Sequence, residues 1–283
     1  MSLESTSLRT YLDTLLTERD VTRHYGNSLR RRVDAFGDYL GRMATLADLS
    51  PEALNAYVQW LQEKSGWLPK TIRDYQAAIV LVWREAFDRR DVDAPPWRLR
   101  RVKVPKRIVR AWTQDELRAI LAATKWLRGD VPGTRIWKRD WFRAYILTAY
   151  CTGIRRCDLM NHALREDFRE GMLTVVENKT GKVVSRIVSP RAQAALDLVI
   201  DDTYILPWPG RVRRFYGSFT VLVRRAGVTP GGPHKIRKSA GSYGQRVNGN
   251  GQLLLGHEDP ATFQRHYNDL SISLDVPEPP PEL

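Results

Sequence analysis

The residues best suited to chemistry in this sequence lie in its second half. Thr152-Gly153-Ile154-Arg155 places an arginine after a glycine turn, and Lys179 lies within Asn178-Lys179-Thr180-Gly181. His234-Lys235-Ile236-Arg237 follows Gly231-Gly232-Pro233. Leu255-Gly256-His257 comes 20 residues after Arg237, and Tyr267 lies 10 residues further on. A tyrosine hydroxyl can attack phosphorus and form a covalent ester, dividing one hard step into two easier ones. Arg155 and Arg237 can grip non-bridging oxygens through planar forks and stabilise the charge that builds there. Lys179 on a turn can reach a leaving oxygen and protonate it. His234 and His257 can hydrogen-bond phosphoryl oxygens or carry the tyrosine proton. Such a set requires no cofactor and no metal, and the sequence offers no acidic cluster to hold a cation.

Each piece alone has a plainer reading. An arginine after a glycine is usually solvated, and a lysine on a hairpin is usually a polar turn residue. His234 and Arg237, three apart, share a helix face and make a basic patch. A glycine before His257 ends a helix, and Tyr267 within Phe263-Gln264-Arg265-His266-Tyr267 is by default a half-buried aromatic. The order and joint occurrence of the pieces carry more than any one of them.

In that order, TGIR, NKTG, HKIR, LGH and a late tyrosine resemble the catalytic signature of the tyrosine recombinases and phage integrases, which are site-specific DNA recombinases. The resemblance implies that Arg155 is the first catalytic arginine and Lys179 the hairpin lysine. It makes His234 and Arg237 the His-x-x-Arg pair, His257 the histidine of the LGH box, and Tyr267 the nucleophile. It also implies a 3′-phosphotyrosyl link with a free 5′-hydroxyl, rejoined without ATP. The partners it implies are double-stranded DNA clamped between two domains, a homotetramer on paired sites, and an accessory DNA-bending protein. Residues 268–283 would then dock on a neighbouring protomer.

Two departures from the pattern set expectations of their own. Asp158 stands where the family usually has glutamate, as a supporting carboxylate three residues after Arg155. The stretch between Arg237 and His257 is short and carries glycines at 241, 244, 249 and 251, which weakens its helical pattern and favours a mobile segment before Tyr267. Lys182 rivals Lys179, whereas His266 should point away from the site because neighbouring residues on a helix diverge. Two other readings stay open: an enzyme of the same chemistry without strand exchange, resembling the DNA-relaxing type IB topoisomerases, and a catalytically inactive DNA-binding regulator, which these departures alone support.

These side chains need a frame. Leucines at 8, 12, 15 and 16, then Tyr25, Leu29, Val33, Phe36 and Leu40, recur at helical spacing. Ser50-Pro51 reads as a cap and first turn, with Leu54, Val58 and Leu61 behind it. Ile72, Tyr75, Ile79, Val82 and Ala86 make a fourth stripe. Residues 1–97 therefore read as a helical module, and the resemblance makes it a SAM-like core-binding domain. Residues 98–112 read as a basic linker. Within it Arg98, Arg100, Arg101, Lys103, Lys106, Arg107 and Arg110 occur without one acid, a pattern suited to tracking phosphates.

Residues 113–283 read as the catalytic domain. Thr113 and Glu116 have capping-box spacing. One helix ends near Cys151, and Met172–Val176 and Val183–Val188 read as a strand pair. Ser189-Pro190 opens another helix, and helical patterns follow at 211–226, 234–247 and 260–270. The fold class is thus mainly α with a small antiparallel β-sheet. Trp60, Trp83 and Trp141 sit in apolar stripes and read as core, as do Cys151 and Cys157. Arg211, Arg213, Arg214, Arg224 and Arg225 suit a DNA-facing or a solvated surface equally. Pro277–Pro281 reads as a frayed tail.

The totals agree with a polyanionic partner. Lys and Arg number 45 against 32 Asp and Glu, a formal net charge of +13. No stretch approaches the roughly 20 apolar residues that span a bilayer. The N-terminus lacks the basic and apolar regions of a secretory signal. Two cysteines make no disulfide framework, so the expected compartment is the reducing cytoplasm.

Overall fold

A computed structural model describes residues 6–64 and 66–274. The chain divides into two compact units, Met1–Arg107 and Ile108–Leu283. Of the segment expected to dock on a neighbour, residues 275–283 lie outside the described residues, and with them the proline-rich tail.

The first unit is helical: α1 (Leu8–Glu18), α2 (Arg23–Leu40), α3 (Pro51–Lys64) and α4 (Pro69–Asp88). Each starts where local chemistry favours it. Ser7 and Thr22 accept the backbone N–H groups of Thr10 and Tyr25, Ser50 accepts that of Ala53, and Pro69 opens α4 at its first turn. The predicted stripes are the buried faces, with Leu12, Leu29, Val33, Phe36, Leu54, Val58, Leu61, Ile79 and Val82 in one core. Trp83 is buried with its indole N–H donated to the Ala94 carbonyl at 2.7 Å, and Trp60 packs half-buried. Tyr25 departs from its stripe and is exposed, one turn before the packed part of α2 begins at Leu29.

The basic segment starts as part of this unit. Asn55 accepts the Arg100 N–H at 2.6 Å and donates to the Arg98 carbonyl at 3.2 Å. Gln76 donates to the Arg100 carbonyl at 2.9 Å, and Val102 is buried in the helical core.

In the second unit α5 (Gln114–Ala123) begins at the predicted Thr113–Glu116 capping box, both halves of which are formed. Next comes α6 (Lys138–Thr152), whose first turn is charged and which from Trp141 onward is buried on most sides as it runs through the core. Trp141, Phe142 and Tyr145 pack with Trp208, Phe215 and Phe219 along it. Helix α6 ends at Gly153, whose φ of +65° and whose missing Cβ, 2.7 Å from Leu255 Cδ2 if built, together demand glycine. A single turn, α7 (Arg156–Leu159), follows. Cys151 is half-buried as expected, but Cys157 is exposed on this turn, where its neighbour Asp158 takes the inward position.

Strands β1 (Phe168–Arg169), β2 (Met172–Val176) and β3 (Val183–Ile187) form an antiparallel sheet in that order. Val176 pairs with Val183, so the turn spans residues 177–182, with Gly181 at φ +69°. Leu173 and Val175 point into the core. Ser189 caps α8 (Pro190–Leu196), and α9 (Val212–Arg225), α10 (His234–Asn248), α11 (Gly251–Leu254), α12 (Pro260–His266) and α13 (Leu270–Ser273) complete the unit.

Two expectations are corrected here. The glycines after Arg237 do not break their helix: α10 runs unbroken to Asn248 and stops at Gly249, in the left-handed region. Gly251 is instead a contact, since a Cβ there would lie 2.2 Å from the Gly241 carbonyl oxygen and 2.7 Å from Phe263. The expected single helix over 260–270 is divided at Tyr267, where φ is −127°, because Asp269 caps a new turn by accepting the Ser271 N–H.

Candidate active site

Five turns and helix ends of the second unit converge on one place. Gly153 ends α6 and turns the chain so that Arg155 precedes α7. Helix α10 presents His234 in its first turn and Arg237 one turn on. The α11–α12 connection carries His257, and the end of α12 delivers Tyr267.

Arg237 is the anchor, 3% exposed. It donates to the Gly153 carbonyl and, at 2.6 Å, to the Leu255 carbonyl, joining the TGIR turn to the LGH turn. Its Nη2 lies 3.4 Å from His257 Nε2, and its guanidinium carbon is 5.6 Å from the centre of the Tyr267 ring. Burial, and then the nearby charge of Arg155, push its pKa down to about 10, so it stays cationic at neutral pH. Arg237 Nε and His257 Nδ1 are buried polar atoms with no hydrogen-bond partner among the described residues.

Tyr267 is half-buried between two imidazoles. Its ring centre is 4.4 Å from that of His257 and 5.2 Å from that of His234, both edge-on. Both histidines are held to a pKa of about 4, first by loss of water around the ring and then by the charge of Arg237. His234 keeps an open side to solvent, so its share of that effect is the more readily screened. Neutral at pH 7, each ring has one nitrogen without a proton, and in His257 that nitrogen is the Nε2 that accepts from Arg237 Nη2. Arg155, His234 and Arg237 also line a hollow of about 180 Å³ with Tyr145, Tyr216 and Pro233.

Arg155 is braced by carboxylates. It donates to Glu177 and lies 3.8 Å from Asp158 Oδ2. Asp158 is fully buried and accepts both the backbone N–H and the side-chain amide of Asn178 at 3.0 Å, tying the TGIR turn to the β2–β3 turn. Glu177 was not singled out in the sequence, although it is 4% exposed and central here. Its second oxygen accepts the Thr180 hydroxyl at 2.6 Å, inside the turn that carries Lys179. The signal was present: Leu173, Val175 and Glu177 fall on one face at the strand period of two, which put a carboxylate inward.

Lys179 is exposed in that turn and does not touch the cluster; it shares only the turn whose base holds Arg155. Lys182 is engaged elsewhere, in an ion pair with Glu258, and His266 is exposed. The seven linker cations are all exposed, as are Arg211, Arg213, Arg214, Arg224 and Arg225. No helix among the described residues is long and apolar enough to cross a membrane.

No protein-family model matches this sequence, and no curated protein does. Solved structures do match in fold. A lambda integrase dimer bound to a COC′ core site superposes with a TM-score of 0.78 at 18% identity, over 98% of this chain and 81% of that one. A lambda integrase tetramer bound to a Holliday junction gives 0.71 at 17%, over 90% and 79%. XerH recombinase on a palindromic difH substrate, in a post-cleavage complex, gives 0.65 at 15%, over 89% and 78%. At these identities the likeness is one of fold, and the fold of this chain is the one these integrase and recombinase structures share.

Proposed function

We propose that this chain is a site-specific DNA recombinase that cleaves and rejoins DNA through a 3′-phosphotyrosyl ester on Tyr267. The observation that carries the reading is the packing of Tyr267 between two neutral imidazoles and against Arg237, in a fold shared with integrases. The Tyr267 oxygen attacks the phosphorus as its proton passes to an imidazole, His257 being the nearer ring. Arg155, Arg237 and the second histidine hold the non-bridging oxygens while charge accumulates. The P–O5′ bond breaks, and Lys179, on a turn with freedom to swing, protonates the leaving oxygen. Religation is the reverse, and because the ester keeps the energy of the broken bond it needs no ATP. Arg98, Arg100, Arg101, Lys103, Lys106, Arg107 and Arg110 bind duplex phosphates. Assembly as a homotetramer on paired sites agrees with the lambda integrase tetramer on a Holliday junction.

Covalent trapping tests this. The protein is mixed in EDTA with pooled nicked duplexes from DNA flanking its own gene, then run on denaturing gels. A slow-migrating adduct with the wild type and none with Tyr267→Phe is the expected result. Tight, salt-sensitive binding without an adduct would instead make the chain a regulator. An adduct that relaxes supercoils but never exchanges strands between duplexes would make it a topoisomerase-like enzyme.

A further inference from the structure

The nucleophile sits where a helix ends, and a helix end leaves carbonyls without partners. The Tyr267 N–H closes the last turn of α12 on the Phe263 carbonyl at 2.9 Å, and the Asn268 N–H shares that carbonyl at 3.1 Å. The Tyr267 carbonyl is taken by a side chain from another helix: Ser242 Oγ donates to it at 3.1 Å. The same hydroxyl oxygen accepts the Asp269 N–H at 2.8 Å. Asp269 then uses both carboxylate oxygens. Oδ1 accepts the Ser271 hydroxyl at 2.6 Å and its N–H at 3.2 Å, which starts α13. Oδ2 accepts the Ala111 N–H at 2.8 Å, on the segment that leads into α5. Ser242 and Asp269 are both buried.

Their place in the fold gives these bonds their weight. Ser242 lies on α10, the helix that also presents His234 and Arg237. One rigid element thus fixes the imidazole, the guanidinium and the backbone of the tyrosine. Tyr267 itself has left helical geometry, so no continuous α-helix on its own chain sets where its ring points. A clamp on the backbone that follows it does so instead, with Ser242 on its carbonyl and Asp269 two residues later.

We propose that Ser242 and Asp269 are positioning residues, which aim the Tyr267 hydroxyl at phosphorus without touching DNA. The inference rests on Tyr267 being the nucleophile. Replacing Ser242 by alanine leaves the Tyr267 carbonyl and the Asp269 N–H unpaired and lets the tyrosine shift by a fraction of a side chain. A displacement of about 1 Å in a reacting group can cost about 100-fold in rate.

The test uses the full chain and the nicked duplexes of the trapping experiment. Single-turnover adduct formation is compared for wild type, Ser242→Ala, Asp269→Asn and Lys179→Ala, alongside duplex affinity and thermal melting. Each is repeated on a duplex with sulfur in place of the bridging 5′-oxygen, whose thiolate leaves without needing a proton. The expected result is a loss of about 10- to 100-fold in adduct rate for Ser242→Ala and Asp269→Asn, with affinity unchanged. That loss should persist on the sulfur substrate, where Lys179→Ala recovers. Asp269→Asn also unfolds more easily if its caps matter, so Ser242→Ala at unchanged melting temperature decides the matter. A wild-type rate in Ser242→Ala, or a deficit that the sulfur substrate repairs, would overturn the proposal and leave Tyr267 as nucleophile intact. No adduct from wild type would remove both.

Discussion

Arg155 meets a carboxylate before it meets any phosphate. Glu177 accepts from its guanidinium while also holding the Thr180 hydroxyl, so one buried acid both fixes the arginine and offsets its charge. Those effects pull in opposite directions on removal. In Glu177→Ala the phosphate site gains positive charge and duplex binding should tighten, while adduct formation should slow by about 10-fold or more as Arg155 loses its brace. Parallel titration and trapping check this; weaker binding together with an unchanged rate would refute it. The histidines supply a second prediction. Their folded pKa values, about 4 against an ordinary value near 6.5, mean the unfolded chain binds more protons between those limits. Stability is therefore full above about pH 6.5 and is lost as the pH falls toward 4. Melting scans across that range should show a steeper acid loss in wild type than in His257→Asn, and superimposable slopes would refute the assignment. Reactive residue types were legible in the sequence because the motifs are short and local. Glu177 was readable too, by strand alternation, but a lone acid two residues before a lysine looks like an ordinary turn until the arginine it meets is known.

At the scale of elements, what could be read was whatever a few neighbouring residues decide. Ser50-Pro51, Ser189-Pro190 and Thr113–Glu116 start helices because caps act within one turn. The failures lie where distant packing decides. Four glycines after Arg237 suggested a break by propensity alone, yet α10 persists because Gly241 and Gly251 let it meet α11 closely. Gly249 and Gly251 should therefore respond differently to alanine. At Gly249, with φ +65° and open space around a built Cβ, the cost is backbone strain alone, about 1–2 kcal/mol. At Gly251 a Cβ would meet the Gly241 carbonyl oxygen and the Phe263 ring, and forcing α10 and α11 apart should cost about 3 kcal/mol or more. Urea unfolding of the two variants separates the cases. Equal losses would mean that the close approach of α10 and α11 is not needed. The break at Tyr267 was hidden for a related reason: Asp269 caps Ser271 locally, but the partners of the Tyr267 carbonyl and of Asp269 Oδ2 lie 25 and 158 residues away in sequence.

At the scale of the whole molecule, the surplus of charge becomes a question of where it sits. The run from Arg98 to Arg110 was visible as composition, but its anchoring was not. Residues 98–102 are fastened to the first unit by Asn55, Gln76 and the burial of Val102, while in the second the Ala111 N–H is held by Asp269 and Trp112 is buried in the core. What remains between these anchorages includes Lys103, Lys106 and Arg107, all exposed. Held at its start by Asn55 and Gln76, the run loses less freedom on meeting a phosphate backbone than a wholly loose tether would. Each phosphate neutralised releases condensed counterions and adds about 0.9 to the slope of log affinity against log salt. Replacing Lys103, Lys106 and Arg107 together by alanine should weaken binding to every duplex tested, by a similar factor whatever its sequence. It should also lower that slope by roughly 2 to 3. Anisotropy titrations between about 50 and 200 mM salt measure both quantities. An unchanged slope would mean that these cations face water in the complex, and the surplus charge would then have to act through the arginines of α9. A loss confined to one sequence would mean they read bases rather than phosphates.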